Sequence, residues 1–384
     1  MNTTEVKTRI GVVGTGYIAQ GLSYILKNDN ALSISRVLTR RNPEFVRDLA
    51  IENQQITNST QELIDNSDLL VECSGDPIHA TEVLSKVMDA GIPVVTMDSE
   101  LQLTSGSWLS KKGLITEAEG DQPGSLTALY KDALAMGFNP IVLGNIKGFL
   151  NHIPTKDEMN YWAVRNGISL EQVTSFTDGT KVQIEQALVA NGLGAQILQR
   201  NLAGIECVDY QDGAKILAEK ADFLGVKISD YVLSPKSPAG VFVVGKHEEE
   251  QVPFLRYYKL GEGPYYVLTK PFHLCHLEIP KTIRQVLKGG GILLNNGENP
   301  QISVATVAKR ELKPGETFKR GIGSFVVRGE AINIADYPDH LPIGLAFNVV
   351  LKRSIEPGQI ISFTDVEIPE SQALLAWQEI THQK

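Results

Sequence analysis

"TRIGVVGTGYIAQGLSYIL", Thr8 to Leu26, decides the fold of the first third of the chain. Ile10 to Val13 is a short apolar run of strand type, and Tyr17 onward carries apolar residues at helical spacing. Between them, Gly14-Thr15-Gly16-Tyr17-Ile18-Ala19 fits the pattern G-x-G-x-x-A. Gly14 permits a tight turn, Gly16 lets a pyrophosphate approach the backbone, and Ala19 allows close packing of helix on strand. The phosphates then lie at the helix N-terminus, where free amides and the helix dipole favour negative charge. Strand, glycine turn and helix in that order predict a Rossmann domain, with Gly14, Gly16, Tyr17 and Ile18 at the cofactor.

The second strand of such a unit is expected in "LSISRVLTR", ending near Val37–Leu38. An acid at that end would hold the ribose 2′-hydroxyl of NAD. The chain has Thr39, Arg40 and Arg41 instead, and two guanidiniums pair well with a 2′-phosphate. NADP is therefore the expected cofactor, with NAD the alternative. "SDLLVECSGDP" reads as a further buried strand whose loop sets Ser74 and Gly75 beside the nicotinamide ribose. "GIPVVTMDSE" brings Asp98 and Glu100 to the same carboxyl edge, and "NPIVLGNIKGF" is expected to close the domain near residue 145.

The 384 residues suggest two or three domains, and a content of 42% hydrophobic and 21% charged residues is that of a soluble globular protein. A net charge of −9 without long basic runs argues against a nucleic-acid partner and leaves a small molecule. Cys73, Cys207 and Cys275 are too few and too scattered for a disulfide framework or a zinc site. No leader peptide and no membrane-spanning run is read, so a cytoplasmic protein is expected.

The middle of the chain holds the groups expected to do chemistry. Glu117, Glu119 and Asp121 precede a helix opened by Pro123, suited either to the helix dipole or to a divalent cation. Lys147, in "GNIKGFLNHIPT", follows the last expected Rossmann strand and is placed to exchange a proton with a substrate oxygen. In "TSFTDGTKVQIE", Thr174 to Glu185, Thr180 and Gln183 fit a capping box. A helix is expected from near Lys181 to Ala190, stopped by Asn191-Gly192. Asp178, Lys181 and Glu185 fall near one face, and Thr174, Ser175 and Thr180 are candidate anion donors in a loop ahead of it. In "YYVLTKPFHLCHLEIP", His273 and His276 are spaced for one side of a turn and His276 is a catalytic candidate, though a structural role serves as well.

Past residue 300, "ISVATVAKRELKPGETFKRGIG" and "LPIGLAFNVVLKRSIEPGQIISFTDVEIPE" are related halves, each with an apolar strand, a Lys-Arg link and a Pro-Gly turn. This stretch resembles a SAF domain, the small β-rich module found at the end of sialic acid synthases. With the glycine turn, "GNIKGFLN", "TSFTDGTKVQIE" and "FHLCHLEIP", the whole chain resembles the homoserine-dehydrogenase-like, SAF-containing oxidoreductases. Those include 1-deoxy-D-xylulose 5-phosphate reductoisomerase-like enzymes and oxidoisomerases of branched sugar acids such as apionate. The resemblance implies an α/β fold: a Rossmann domain over residues 1–145, an α/β substrate and dimerisation domain over 146–300, and a SAF domain over 301–384. It implies a homo-oligomer, and hydride transfer coupled to rearrangement of a hydroxy-ketone skeleton with the help of a divalent metal. The "N-G-T-x-N-Y" of homoserine dehydrogenase is absent, which argues against simple homoserine oxidation.

Three functions are compatible with these residues. The first is an NADP-dependent reductoisomerase or oxidoisomerase of a small polyhydroxylated, optionally phosphorylated, substrate. The second is a plain NAD(P)-dependent dehydrogenase of a hydroxy acid, amino-alcohol or sugar, and the third a non-catalytic cofactor-sensing or glycan-handling protein. For either enzyme the catalytic candidates are Lys147, Lys181, Asp178, Glu185, His276 and Asp121.

Overall fold

The structure, a computed structural model, describes residues 7–381. The chain forms two compact units that are each discontinuous in sequence. The first runs to Gly124 and takes in Leu274–Glu298 and the stretch from Ser371; the second is Ser125–His273 with Asn299–Glu370.

The first unit is built on six parallel strands: β1 (Thr8–Val13), β2 (Leu32–Leu38), β3 (Ile56–Thr57), β4 (Leu69–Glu72), β5 (Val94–Thr96) and β6 (Ile115–Glu117). Their order is β3-β2-β1-β4-β5-β6, so the direction of winding reverses at β1 and opens the crevice where such sheets take a dinucleotide. The central strands β1, β4 and β5 are rich in buried apolar residues because both faces are covered. Ile10, Val12 and Val71 pack with Ala19, Leu22 and Leu26 of the helix Tyr17–Lys27 and with Ile279 and Ile283. Val13, Leu70 and Val94 pack with Ala80, Leu84 and Val87 on the opposite face.

The strand read in "NPIVLGNIKGF" does not close this sheet. β6 does, pairing with β5 from Val94↔Ile115 to Thr96↔Glu117 and fixed to the chain beyond by a hydrogen bond from the Glu117 amide to the Leu294 carbonyl (2.7 Å). Glu117 is therefore a strand residue and not part of a loop. The run 139–147 is instead the central strand of the second unit.

That second sheet comprises β7 (Asn139–Lys147), β8 (Ile205–Glu206), β9 (Ile228–Leu233), β10 (Val241–Lys246) and β11 (Tyr266–Lys270), in the order β11-β10-β7-β9-β8. β7 runs parallel to β9 and antiparallel to β10. Alternation along β7 divides the two faces. Val142 and Ile146 join Ala214, Leu217 and Ala218 of the helix Tyr210–Leu224. On the other face Asn145 and Lys147 reach Glu185 of the helix Thr180–Leu193. Gln186 on that helix donates to the Leu143 carbonyl at 2.9 Å, tying it to the sheet.

The same unit carries β12 (Ile302–Ala308), β13 (Thr317–Arg320), β14 (Val327–Asn333), β15 (Phe347–Leu351) and β16 (Val366–Glu367), arranged as β12-β14 and β13-β15-β16. The two halves seen in the sequence make equivalent bonds. The Gly315 amide donates to Leu351 O and the Gly358 amide to Ala308 O, both at 2.8 Å. Leu312 and Ile355, at matching positions in the halves, exchange backbone hydrogen bonds of 2.9 and 3.0 Å. Gly315 (φ 80°) and Gly358 (φ 79°) take the left-handed turn positions after Pro314 and Pro357. Among the described residues, no helix is long and apolar enough to cross a membrane.

Candidate functional site

In the first unit the glycine turn has the geometry its sequence requires. Gly14 sits at φ 110°, and a Cβ there would lie 2.8 Å from the Cys73 carbonyl oxygen, so no other residue fits. Gly16 is the N-cap of the helix Tyr17–Lys27, and a Cβ built on it meets nothing within 4 Å, which leaves its backbone open to a pyrophosphate. Ala19 is buried against the sheet. Tyr17 is half exposed, and Ile18 packs at the edge of the core.

At the end of β2, Thr39 is buried and its hydroxyl accepts from the Arg41 amide at 3.1 Å. The Arg41 guanidinium folds back to the Thr15 hydroxyl, directly over the glycine turn. Arg40 pairs at 2.7 Å with Asp76, whose carboxylate also caps the helix Pro77–Asp89 through the His79 amide. Both arginines thus lie at the sheet's carboxyl edge, one beside the turn and one held by an acid. Ser74 donates to Glu72 at 2.7 Å, and Gly75 takes φ 66° with open space before it. Glu72 is fully buried between Ser74 and the Thr96 hydroxyl, and burial raises its pKa above the usual carboxylate range.

A second acidic group lies further along this edge. The Ser99 hydroxyl is 3.1 Å from Glu117 Oε1 and 3.0 Å from Asp121 Oδ2, with Glu117 fully buried. Among the described residues no set of three or more His, Cys, Asp or Glu side chains is arranged to hold a metal ion. His276, also in this unit, packs its ring on the helix Tyr17–Lys27. A Cβ on Gly21 would fall 2.4 Å from that ring, and Tyr17 meets it edge-on at 6.0 Å. Burial lowers its pKa, and its Nδ1 finds no protein partner among the described residues.

In the second unit β7 and the helix Thr180–Leu193 bring together residues far apart in sequence. Glu185 Oε2 accepts from Asn145 Nδ2 at 2.9 Å and from Lys147 Nζ at 3.1 Å. The Glu185 side chain is 3% exposed and that of Lys147 19%, so the lysine end of the pair is the one open to a ligand. Lys181 lies one helical turn before Glu185 and is buried to a similar degree. Asn145 was legible only as a polar residue inside the apolar run "IVLGNIK", two residues before Lys147 and hence on the same strand face.

The capping box expected at Thr180 and Gln183 does not form. Gly179, at φ 88°, is the N-cap, and the helix continues to Leu193 with Gly194 as its stop, so Asn191 and Gly192 are helical. Thr180 Oγ1 and Gln183 Oε1 instead accept from the amides of Gly329 and Ala331 on β14, both at 2.9 Å. These amides face away from β12 and require acceptors, and the helix side chains supply them. Thr174 and Ser175 are not in a loop. They belong to a helix Leu170–Thr177, whose own capping box is Ser169–Gln172, and they donate to Leu170 O and Gln172 O at 2.7 and 3.0 Å. Asp178 is fully buried, accepts from the Thr180 amide, and pairs with Lys309 at 2.7 Å.

Residues 120–279 match the family described as oxidoreductase DRL, catalytic domain. The match includes Lys147, Lys181 and Glu185, and it supports an oxidoreductase. No protein with a curated description matches the chain. Among solved structures, a probable dehydrogenase from Thermotoga maritima is similar at 14% identity over 75% of this chain and 91% of that chain, with a TM-score of 0.45. The dehydrogenase MviM from Clostridium difficile is similar at 13% identity over 75% and 93%, TM-score 0.40. UDP-N-acetylglucosamine 3-dehydrogenase GnnA from Acidithiobacillus ferrooxidans is similar at 13% over 76% and 92%, TM-score 0.39. Likeness at these scores does not extend to substrate or activity.

Proposed function

We propose that the chain is an NAD(P)-dependent dehydrogenase acting on a hydroxyl or carbonyl carbon of a small polar substrate. The observation that carries this reading is the Asn145–Glu185–Lys147 arrangement within the segment matching an oxidoreductase catalytic domain. Gly14 and Gly16 fit the pyrophosphate of a dinucleotide, which when bound supplies the hydride. Lys147 holds or releases the proton at the substrate oxygen. Glu185 keeps that ammonium in place, and Asn145 orients Glu185. Lys181 is a second cation on the same helix face. Asp178 and Thr180, committed to Lys309 and β14, position the helix, as do Thr174 and Ser175 within the preceding one. His276 serves the packing of the nucleotide-binding helix.

NADP remains the preferred form, because Arg41 reaches the Thr15 hydroxyl of the glycine turn, and Arg40, next to it after β2, is held by Asp76. The 43-residue repeat from Ala308 to Leu351 supports the SAF resemblance; a homo-oligomer and the isomerising reading, in which the substrate skeleton rearranges, rest on that resemblance alone. The direct test is incubation with NADPH or NADP and a panel of hydroxy acids and sugar acids, following nicotinamide absorbance and determining product skeletons by NMR. Turnover without rearrangement supports the dehydrogenase, and a changed skeleton the oxidoisomerase. Failure of the protein to bind either nucleotide would exclude both.

A further inference from the structure

Lysine on the inner face of a sheet is unusual, because its ammonium must stay solvated or find polar partners. The second sheet carries two on the face that bears Glu185. Lys270 ends β11 and stands opposite Val241 of β10, which stands opposite Asn145 of β7. Residues in register across neighbouring strands share a face. Lys270 and Asn145 are therefore on one side of the sheet, with the fully buried Val241 between them in register. The neighbouring positions agree: Val267 of β11 and Val244 of β10 belong to the core on the opposite face. With adjacent strands about 4.8 Å apart, the Lys270 and Asn145 backbones are separated by roughly 10 Å, the width of a small molecule. Lys147 lies two residues beyond Asn145 on the same face.

Local structure holds Lys270 in place. Pro271 follows it and lacks an amide to extend the strand. Gly240 presses on its carbonyl so closely that a Cβ would come within 2.2 Å of that oxygen. The ammonium donates to the Ser125 hydroxyl at 3.2 Å and lies 5.6 Å from the centre of the Phe272 ring.

We propose that Lys270 binds an anionic group of the substrate, a carboxylate or a phosphate, across Val241 from the Lys147–Glu185 pair. This rests on the dehydrogenase reading and narrows its substrate to an acid or a phosphate ester. Lys147 serves the reacting oxygen, and Lys270 anchors the far end of the molecule.

The test is calorimetric titration of the NADPH-loaded protein with malonate and, separately, inorganic phosphate. One of the two is expected to bind, which identifies the anion. Lys270→Met, which keeps chain length, should weaken that binding roughly ten- to a hundredfold, the effect of losing one hydrogen bond to a charged group. Lys270→Arg, which keeps the charge, should retain most of it. Wild-type affinity in Lys270→Met, or no binding of either anion by the wild type, overturns the proposal. A second measurement needs no variant. Acetylation of Lys270 by acetic anhydride, read by mass spectrometry, should slow when the binding anion is present, and an unchanged rate also overturns it. NADPH affinity is measured on the same samples by nicotinamide fluorescence. Its absence in the wild type sinks the dehydrogenase reading, whereas anion titration without nucleotide still decides Lys270.

Discussion

Lys309 and Asp178 form an ion pair at 2.7 Å in which neither side chain is more than 1% exposed. The pair joins the strand segment after β12 to the turn that opens the helix bearing Lys181 and Glu185. Lys309 also donates to the Ser324 carbonyl at 2.5 Å, and Asp178 accepts from the Thr180 amide at 2.9 Å, so both charges are held by further polar groups. Burial nevertheless raises the Asp178 pKa and lowers that of Lys309, each against ionisation, and mutual attraction offsets only part of this. Lys309→Met should therefore cost about 3–5 kcal/mol by stranding the carboxylate. Adding Asp178→Asn should recover much of the loss. Urea denaturation of the two single variants and the double variant checks this, and equal losses in all three would deny the coupling.

His340 should make the fold acid-sensitive. It is 2% exposed, with Nδ1 2.6 Å from Tyr337 O and Nε2 2.8 Å from Ser303 Oγ. Nδ1 donates to the carbonyl, so a neutral ring accepts from the serine at Nε2. Burial lowers its pKa to about 4. The unfolded chain takes up this proton near pH 6.5 and the folded one near 4, so stability present above 6.5 is lost as pH falls towards 4. Between pH 7 and 5 the loss from this group is about 2 kcal/mol. His340→Gln should flatten that part of the profile, measured by urea midpoints at the two pH values.

Nucleotide binding should depend on Gly14 and Arg41 in different ways. Gly14→Ala forces a side chain into φ 110° and against Cys73, and should abolish binding of NADPH and NADH alike. Arg41→Ala should weaken NADPH roughly ten- to a hundredfold and spare NADH, if the guanidinium meets a 2′-phosphate. Equal losses for both nucleotides would show that Arg41 only braces the turn through Thr15. Fluorescence titration distinguishes the two.

Lys147→Ala and Glu185→Gln should each lower kcat, by roughly a hundredfold or more for the lysine if it carries the proton. Nucleotide affinity should change far less than kcat in both, because neither residue belongs to the glycine turn or the Thr39–Arg41 loop. Steady-state kinetics on the substrate found by screening, with nucleotide titration alongside, is the check. Unchanged kcat in Lys147→Ala would remove it from the chemistry.

Much of the first unit was legible because its signals are local. Gly14 permits a positive-φ turn that other residues disfavour, and the apolar runs of β1, β4 and β5 are what two covered sheet faces demand. Thr180 and Gln183 show the limit of local reading. Their spacing fits a capping box, but two outward-facing amides on β14, almost 150 residues on, compete for the same oxygens. Glu185 was picked out for its place on a helix face, while Asn145, the residue that orients it, lies 40 residues away on another element.

By itself, then, the amino-acid order determined the glycine turn, the apolar strands around it and the paired halves of the β-rich module. Only the tertiary structure decided that β7 joins the second sheet, that β6 closes the first, and that Asp178 finds Lys309 at a separation of 131 residues. The physical reason is that turn sterics and hydrophobic alternation act within a few residues and leave a readable pattern. Which strand edge a segment pairs with, and which buried charge meets which, follows from competition among distant donors, acceptors and surfaces that only the folded chain brings within reach.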